Sequence, residues 1–177
     1  AAQTTVTTWA VGGVNVGATF IAIAFIDRLG RRKLLLAGLL GMGLSLAVVG
    51  AAFEFMTAAS GPTASGMAGI VTLAALVVFI ACFAFSMGPV VWTVINEIFP
   101  GHIRGRAVAV ATAFNWASAF VISQVFLSLI GVIGNSFTFW LFAMFCVLGG
   151  VFVFYVVPET KGRSLEQIQQ IWKTKGE

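Results

Sequence analysis

The sequence predicts an all-α membrane protein, and three observations lead to this fold class. Of the 177 residues, 59% are hydrophobic and only 9% are charged, whereas a soluble domain carries roughly 25% charged residues. Several stretches contain no charge at all, and each is long enough for a helix to cross a hydrocarbon core about 30 Å thick. These stretches lack the alternation typical of membrane strands, so helices are the expected spanning elements.

Five spans are predicted in chain order. Their approximate limits are 4–26, 34–55, 68–98, 107–131 and 136–157. The first three are separated by charged or polar loops, and the last two divide one charge-free stretch that is too long for a single crossing. The glycine-containing segment 131–136 (GVIGNS) marks the division. We therefore expect residues 1–157 to form a transmembrane bundle.

A cytoplasmic tail is predicted over residues 158–177. Within it, Ser164 followed by Gln167 fits a helix-capping pattern. Leu165 and Ile168 would then share the apolar face of a short amphipathic helix at the membrane surface. A tail with only slight helicity is the alternative.

All ten Lys and Arg residues lie on one predicted side of the membrane. They fall within 28–33, 104–106 and 161–175, whereas the opposite loops 57–66 and 131–136 carry no charge. Basic loops face the cytoplasm in membrane proteins, which predicts a multi-pass membrane protein with a cytoplasmic C-terminus. The net charge of +4 is thereby explained, and no nucleic-acid partner is expected.

The first span carries a polar stripe. Its small and polar residues recur at helical spacing: Thr5, Thr8, Gly12, Asn15 and Thr19. Such a stripe is either a helix contact or a cavity lining. The amide of Asn15 favours a cavity lining, because it offers both donors and an acceptor to a hydroxylated ligand.

Two later spans also carry groups suited to a ligand. Pro89, which follows Gly88, removes a backbone donor and predicts a kink or break in the third span. Trp92 comes next and offers an apolar ring face with one N–H donor. The fourth span contains Asn115 and Trp116. Trp9, Trp140 and Trp172 are interpreted as interfacial anchors.

The spans contain no catalytic constellation. No Asp, Glu, Lys or Arg lies at mid-span, and the single His, His102, lies in a predicted loop. Cys82 and Cys146 are interpreted as packing residues. An enzyme is therefore not expected, and neither is a metal or a cofactor.

The cytoplasmic segments carry a family resemblance. Residues 27–32 (DRLGRR) resemble a loop motif of the major facilitator superfamily. The ordered set 88–92 (GPVVW), 96–100 (NEIFP), 103–106 (IRGR) and 158–163 (PETKGR) resembles the sugar porter family within it. The resemblance implies helices eight to twelve of a twelve-helix transporter, and hence five helices of its C-terminal six-helix bundle.

The resemblance also implies residue roles. Asn15, Gly88, Trp92, Asn115 and Trp116 match sugar-binding positions, and Gly88 with Pro89 matches a flexible segment that gates the site. A second set matches a charged network that closes the cytoplasmic side: Asp27, Arg28, Arg31, Glu97, Arg104 and Glu159. A role in topology alone is the alternative for this second set.

The function implied is transport of a monosaccharide, a hexose or pentose, by alternating access. Its partners would be the sugar, the lipid bilayer and helices one to seven, which precede this segment in the family. Proton coupling stays open, because the family's coupling acid belongs to the first helix. The alternatives are a facilitator for another small polar solute and a membrane interaction protein without transport activity.

Overall fold

The computed structural model describes residues 8–9, 12–21, 30–58, 62–99 and 101–159, with the side chains of 62–65 left aside. Its helices are α1 (Gly12–Ile21), α2 (Arg31–Ala58), α3 (Pro62–Phe85), α4 (Met87–Ile98) and α5 (Gly101–Val156). Within these described ranges, three stretches are long and apolar enough to cross a membrane: Arg31–Ala58, Gly66–Ile98 and Gly101–Val156. Every regular element in these ranges is helical.

The longest helix, α5, is two antiparallel helices joined at Gly134. Its 56 residues would extend about 84 Å as one straight helix, and Gly134 interrupts it with φ 81° and ψ 169°. Phe126 contacts Phe139 and Phe142 with ring centroids 6.4 and 6.0 Å apart, which requires the chain to reverse between them. We name residues 101–133 α5a and residues 135–156 α5b.

The interruption between α3 and α4 lies at Ser86. This residue has φ −122° and ψ −80°, and its N–H donates to the carbonyls of Cys82 and Phe83 at 3.1 and 3.2 Å. Gly88 and Pro89 belong to the first turn of α4, where the missing N–H of a proline leaves no helical bond unmade. The break thus precedes the Gly-Pro pair, because proline is tolerated at the start of a helix.

Helix α2 lies between α3 and α5b, and glycines bring all three helices close together. A Cβ atom at Gly38 would overlap Ser86, and one at Gly41 would overlap the sulfur of Cys82 in α3. Gly43 and Gly50, seven residues apart, lie on another face of α2. A Cβ atom at Gly43 would lie 3.3 Å from Cβ of Cys146, and one at Gly50 would overlap the indole of Trp140, both in α5b. Small residues are what allow membrane helices to approach closely.

A compact apolar cluster joins α2, α4 and α5b at one end of the bundle. It is formed by these buried residues: Leu34, Leu35, Leu39, Val90, Val94 and Val153. Arg31 comes three positions before Leu34, Glu97 three positions after Val94, and Glu159 six positions after Val153. The cluster therefore places three charged side chains at the same end of the bundle.

Candidate functional site

The charged residues at this end form a cluster centred on Arg31. Its guanidinium Nη2 lies 3.1 Å from Oε1 of Glu97 at the end of α4. Its backbone N–H donates to Oε1 of Glu159, after α5b, at 3.0 Å. The Arg31 and Glu97 side chains are only 15% and 23% exposed, so this ion pair is screened less than a surface pair. The cluster links α2, α4 and the segment after α5b.

Gly30 makes the contact with Glu159 possible. Its φ is +89°, which L side chains rarely adopt. A Cβ atom at this position would lie 2.7 Å from Oε2 of Glu159. The N–H of Leu34 donates to the carbonyl of Gly30 at 3.2 Å, so Gly30 caps α2 and Glu159 accepts one of the unpaired donors of its first turn.

Sequence reasoning missed the role of Gly30, although the residue lies inside the quoted motif 27–32. The available signal was a glycine shortly before an apolar stretch, because glycine is among the residues favoured at a helix N-cap. Nothing in the sequence names its partner, because Glu159 is 128 positions from Arg31.

The other cationic residues near this end have different partners. Arg104 Nε donates to the carbonyl of Phe99 at 3.3 Å, which satisfies an acceptor at the C-terminal end of α4. Arg32 Nη2 donates to the carbonyl of Phe154, and its guanidinium carbon lies 5.0 Å from the Phe154 ring centroid. Asp27 and Arg28 lie outside the described residues.

Trp92 lies in α4, less than two turns after the interruption at Ser86. Its side chain is partly buried, and its carbonyl accepts a hydrogen bond from Nδ2 of Asn96 at 2.8 Å. The hydroxyl of Thr93 donates to the carbonyl of Pro89 at 3.0 Å, which pairs an acceptor in the first turn. A Cβ atom at Gly88 would lie 3.6 Å from the carbonyl oxygen of Phe83, which is an ordinary contact.

Asn115 and Trp116 lie in a part of α5a that is exposed on every side. Each residue from 113 to 125 is exposed, and the Trp116 side chain is 70% exposed. Ala107 is the first residue of the charge-free stretch that follows Arg106. Asn115 lies eight residues further, which is about 12 Å along the helix and close to mid-membrane depth. A polar side chain at this depth is costly unless another polar group pairs with it.

Asn15 is exposed in α1, and its carbonyl accepts from the hydroxyl of Thr19 at 2.8 Å. The described ranges show no hydrogen bond or ring contact that joins Asn15, Trp92, Asn115 and Trp116 to one another. The structure thus brings Arg31, Glu97 and Glu159 together and leaves the candidate sugar-binding residues separate. Thr5, Trp172 and the amphipathic tail lie outside the described residues.

Two further observations bear on chemistry. Among the residues that the structure describes, no group of three or more His, Cys, Asp or Glu side chains could hold a metal ion.

Trp140, interpreted from the sequence as an interfacial anchor, donates from Nε1 to the carbonyl of Ala47 in α2 at 3.2 Å. Its indole therefore joins two helices.

Comparison with known families gives one match that covers nearly the whole chain. The profile of a family described as "Sugar (and other) transporter" matches residues 1–172.

Named relatives agree with this profile. The facilitated trehalose transporter Tret1 of Polypedilum vanderplanki is 42% identical over 160 residues, which cover 90% of this chain and 31% of that protein. The arabinose-proton symporter of Bacillus subtilis is 38% identical over 167 residues, which cover 94% of this chain and 34% of that protein. The chain spans about a third of the length of these relatives.

Solved structures show the same fold. The inward open conformation of the xylose transporter XylE from E. coli matches with a TM-score of 0.82 and 36% identity, covering 94% of this chain and 35% of that one. The proton:xylose symporter XylE bound to 6-bromo-6-deoxy-D-glucose matches with a TM-score of 0.81 and 35% identity, covering 94% and 34% of the two chains.

Proposed function

This chain belongs to the sugar transporter family of the major facilitator superfamily, and we propose that it is part of a transporter that moves a monosaccharide across a membrane by alternating access. The predicted all-helical facilitator fold is confirmed by the similarity to XylE. The chain is an integral membrane protein, and helices beyond this segment would complete the substrate path. Its relatives are named transporters, which supports a transporter and not an enzyme.

The exposed section of α5a is the observation that carries this proposal. Asn115 presents an amide near mid-membrane depth, in a section where every residue from 113 to 125 is exposed. An unpaired amide is costly in a hydrocarbon environment, so a polar partner must reach it. Sugar hydroxyls can both donate to and accept from an amide, and the exposed Trp116 beside it offers an apolar ring face.

Trp92 and Asn15 would complete the substrate surface. The C–H faces of a sugar ring pack on an indole, and its hydroxyls bond to flanking amides. Gly88 and Pro89 lie in the turn before Trp92, directly after the interruption at Ser86. A movement of α4 at this interruption would carry Trp92 with it, which is how we propose that the site is gated.

The cluster at Arg31 is the proposed cytoplasmic gate. It holds the ends of α2 and α4 and the segment after α5b together through Glu97 and Glu159. Contacts that exist in one state and break in the other bias alternating access by their differential free energy. Asp27, Arg28 and Arg104 are proposed as further members, on the family resemblance.

The proposed orientation places this end of the bundle in the cytoplasm. The basic residues of 28–33, 104–106 and 161–175 would lie on that side, as the positive-inside rule requires. The plasma (cell inner) membrane is the proposed location.

Transport assays on the full-length protein test the substrate surface. We expect Trp92→Ala and Asn115→Ala each to reduce uptake of labelled xylose, arabinose or glucose at least two-fold, since one lost hydrogen bond is worth about 0.5–1.5 kcal/mol. Asn135→Ala, which changes an exposed amide at the α5a–α5b turn, is the matched control and should transport normally. Normal uptake by both site variants, at equal expression, would refute the assignment.

A disaccharide is the second candidate substrate, because a relative at 42% identity is a named trehalose transporter. Labelled trehalose therefore belongs in the same panel, and preferential uptake of trehalose would replace the monosaccharide proposal. Proton coupling is tested in parallel, since two other relatives are named proton symporters. A proton ionophore should abolish accumulation if this protein is one.

A further inference from the structure

An apolar groove of about 740 Å³ runs along the outside of the bundle between α2 and α5b. Its walls include Leu40, Leu44 and Ala47 from α2, and Met144, Val147 and Val151 from α5b. Leu40, Leu44 and Val147 are 64%, 61% and 63% exposed. Gly150 also lines the groove, and a Cβ atom there would meet nothing within 4 Å.

The groove opens on the side of α2 that faces away from the bundle core. Successive residues in an α-helix are about 100° apart, so Leu40 lies about 200° around the helix from the buried Met42. Leu35 and Leu46, which are buried with Met42, share its face. This inference rests on the proposed function in one respect: helices that complete a substrate path would meet α4 and α5a, and would leave this outer groove in contact with lipid.

Cationic side chains mark only one end of the groove. Lys33 is exposed and heads the stripe 33, 36, 40, 44 and 47, which is spaced at three and four residues and lies on one helical face. Arg32 lies at the same end, because its guanidinium covers the ring of Phe154 at 5.0 Å and Phe154 lines the groove. Among the residues that the structure describes, those that line the groove carry no charge.

We propose that this groove binds one anionic phospholipid. An acyl chain would lie along Leu40, Leu44 and Val147, and the phosphate would contact Lys33 and Arg32. The shape and charge fit an amphiphile, since an apolar channel ends in cations. A flexible chain also fills an irregular groove and makes the dispersion contacts that the exposed walls lack.

A second copy of the chain fits this surface poorly. In a two-fold dimer with its axis along the membrane normal, the same patch meets itself. Each Lys33 would then lie at the same depth as the Lys33 of the other copy, which places like charges near one another.

The test uses the full-length transporter in nanodiscs that contain phosphatidylglycerol with a photoactivatable acyl chain. Irradiation followed by peptide mapping should place the label on peptides from α2 and α5b. Gly150→Leu fills the groove from a position with open space and should reduce this label at least five-fold. Gly69→Leu is the matched control, because Gly69 also has nothing within 4 Å of an added Cβ but lies on α3, so it should label as the parent does.

A second arm tests the head group. Lys33→Gln should lower the labelling preference for phosphatidylglycerol over phosphatidylcholine by about five-fold, the effect of one basic residue near an anionic surface. Equal labelling in Gly150→Leu, label confined to other helices, or an unchanged head-group preference would each overturn the proposal. So would a disulfide between two copies of Leu44→Cys, which would show that a second copy covers the groove. No sugar enters these measurements, so a failed transport assay would leave their result unaffected.

Discussion

Helix α2 and α5a are both apolar, yet they differ in how much of their surface is buried against other helices of this chain. In the most apolar stretch of α2, 56% of the residues are buried, whereas no residue of α5a is buried. Two faces of α2 are matched to neighbours through Gly38, Gly43 and Gly50. In α5a, by contrast, residues 113–125 are all exposed. The described residues therefore include a packed apolar core and the charged cluster at Arg31. Of the proposed substrate surface, they include only one side.

This difference separates structural from functional effects of mutation. A change around α2 should alter the free energy of unfolding, because the contacts it removes are present in this chain. A change at a residue of 113–125 that contacts substrate should leave that free energy nearly unaffected and act on transport, because the contact it removes is made to the substrate and not to the protein. The predictions below are arranged by expected size and refer to the full-length protein.

The largest effect is expected for Gly30→Ala. A side chain at φ +89° costs about 1–3 kcal/mol, and the added Cβ would displace the carboxylate of Glu159 from the N–H of Arg31. Losing that partner costs about 1–3 kcal/mol more. Thermal unfolding in detergent should show a clearly lowered midpoint. Gly69→Ala, in a helix with open space, is the control, and equal midpoints for the two variants would contradict the described capping.

Gly50→Ala should produce a smaller loss. The added methyl would overlap the indole of Trp140 and lie 3.0 Å from the carbonyl oxygen of Ser136, so α2 and α5b must separate. Overpacking of this kind costs about 1–3 kcal/mol. The same unfolding assay measures it, and no loss of stability would show that α2 is packed less tightly against α5b than the structure indicates.

The sequence predicted the fold well, because composition and charge directly report a membrane environment. The predicted span 34–55 lies within α2, which extends three residues further at each end, and Gly134 falls inside the segment 131–136 where a turn was expected. The family and the facilitator fold are confirmed by the comparisons. These features depend on local composition and on contiguous motifs.

Long-range geometry was harder to predict. Gly30 and Glu159 meet across most of the chain, and no local pattern pairs them. Trp140 was interpreted as an anchor because tryptophan is common at membrane interfaces, yet its N–H bonds to α2. A break was expected at Gly88 and Pro89, but it lies at Ser86. Proline is tolerated in the first turn of a helix, so the interruption precedes the Gly-Pro pair. The candidate sugar-binding residues stay a prediction.

Glu97→Gln should affect the rate of transport more than the affinity for sugar. The change keeps the shape of the side chain and removes the charge that pairs with Arg31 at 3.1 Å. A contribution of about 1 kcal/mol to one state corresponds to a change in exchange rate of roughly five-fold. Uptake rates and equilibrium binding of the same sugar should be measured together. A change in affinity alone would contradict the gating role.

The smallest effects come from a matched pair of tryptophans, one in each region. Trp140→Phe removes the N–H that donates to Ala47 and should lower the free energy of unfolding by about 1 kcal/mol. Trp116→Phe makes the same chemical change in the exposed section, so its effect on unfolding should stay within about 0.5 kcal/mol while sugar uptake falls. If instead Trp116→Phe destabilises the protein and spares uptake, the exposed section is a packing surface for other helices, and Asn115 would then bond to protein and not to sugar.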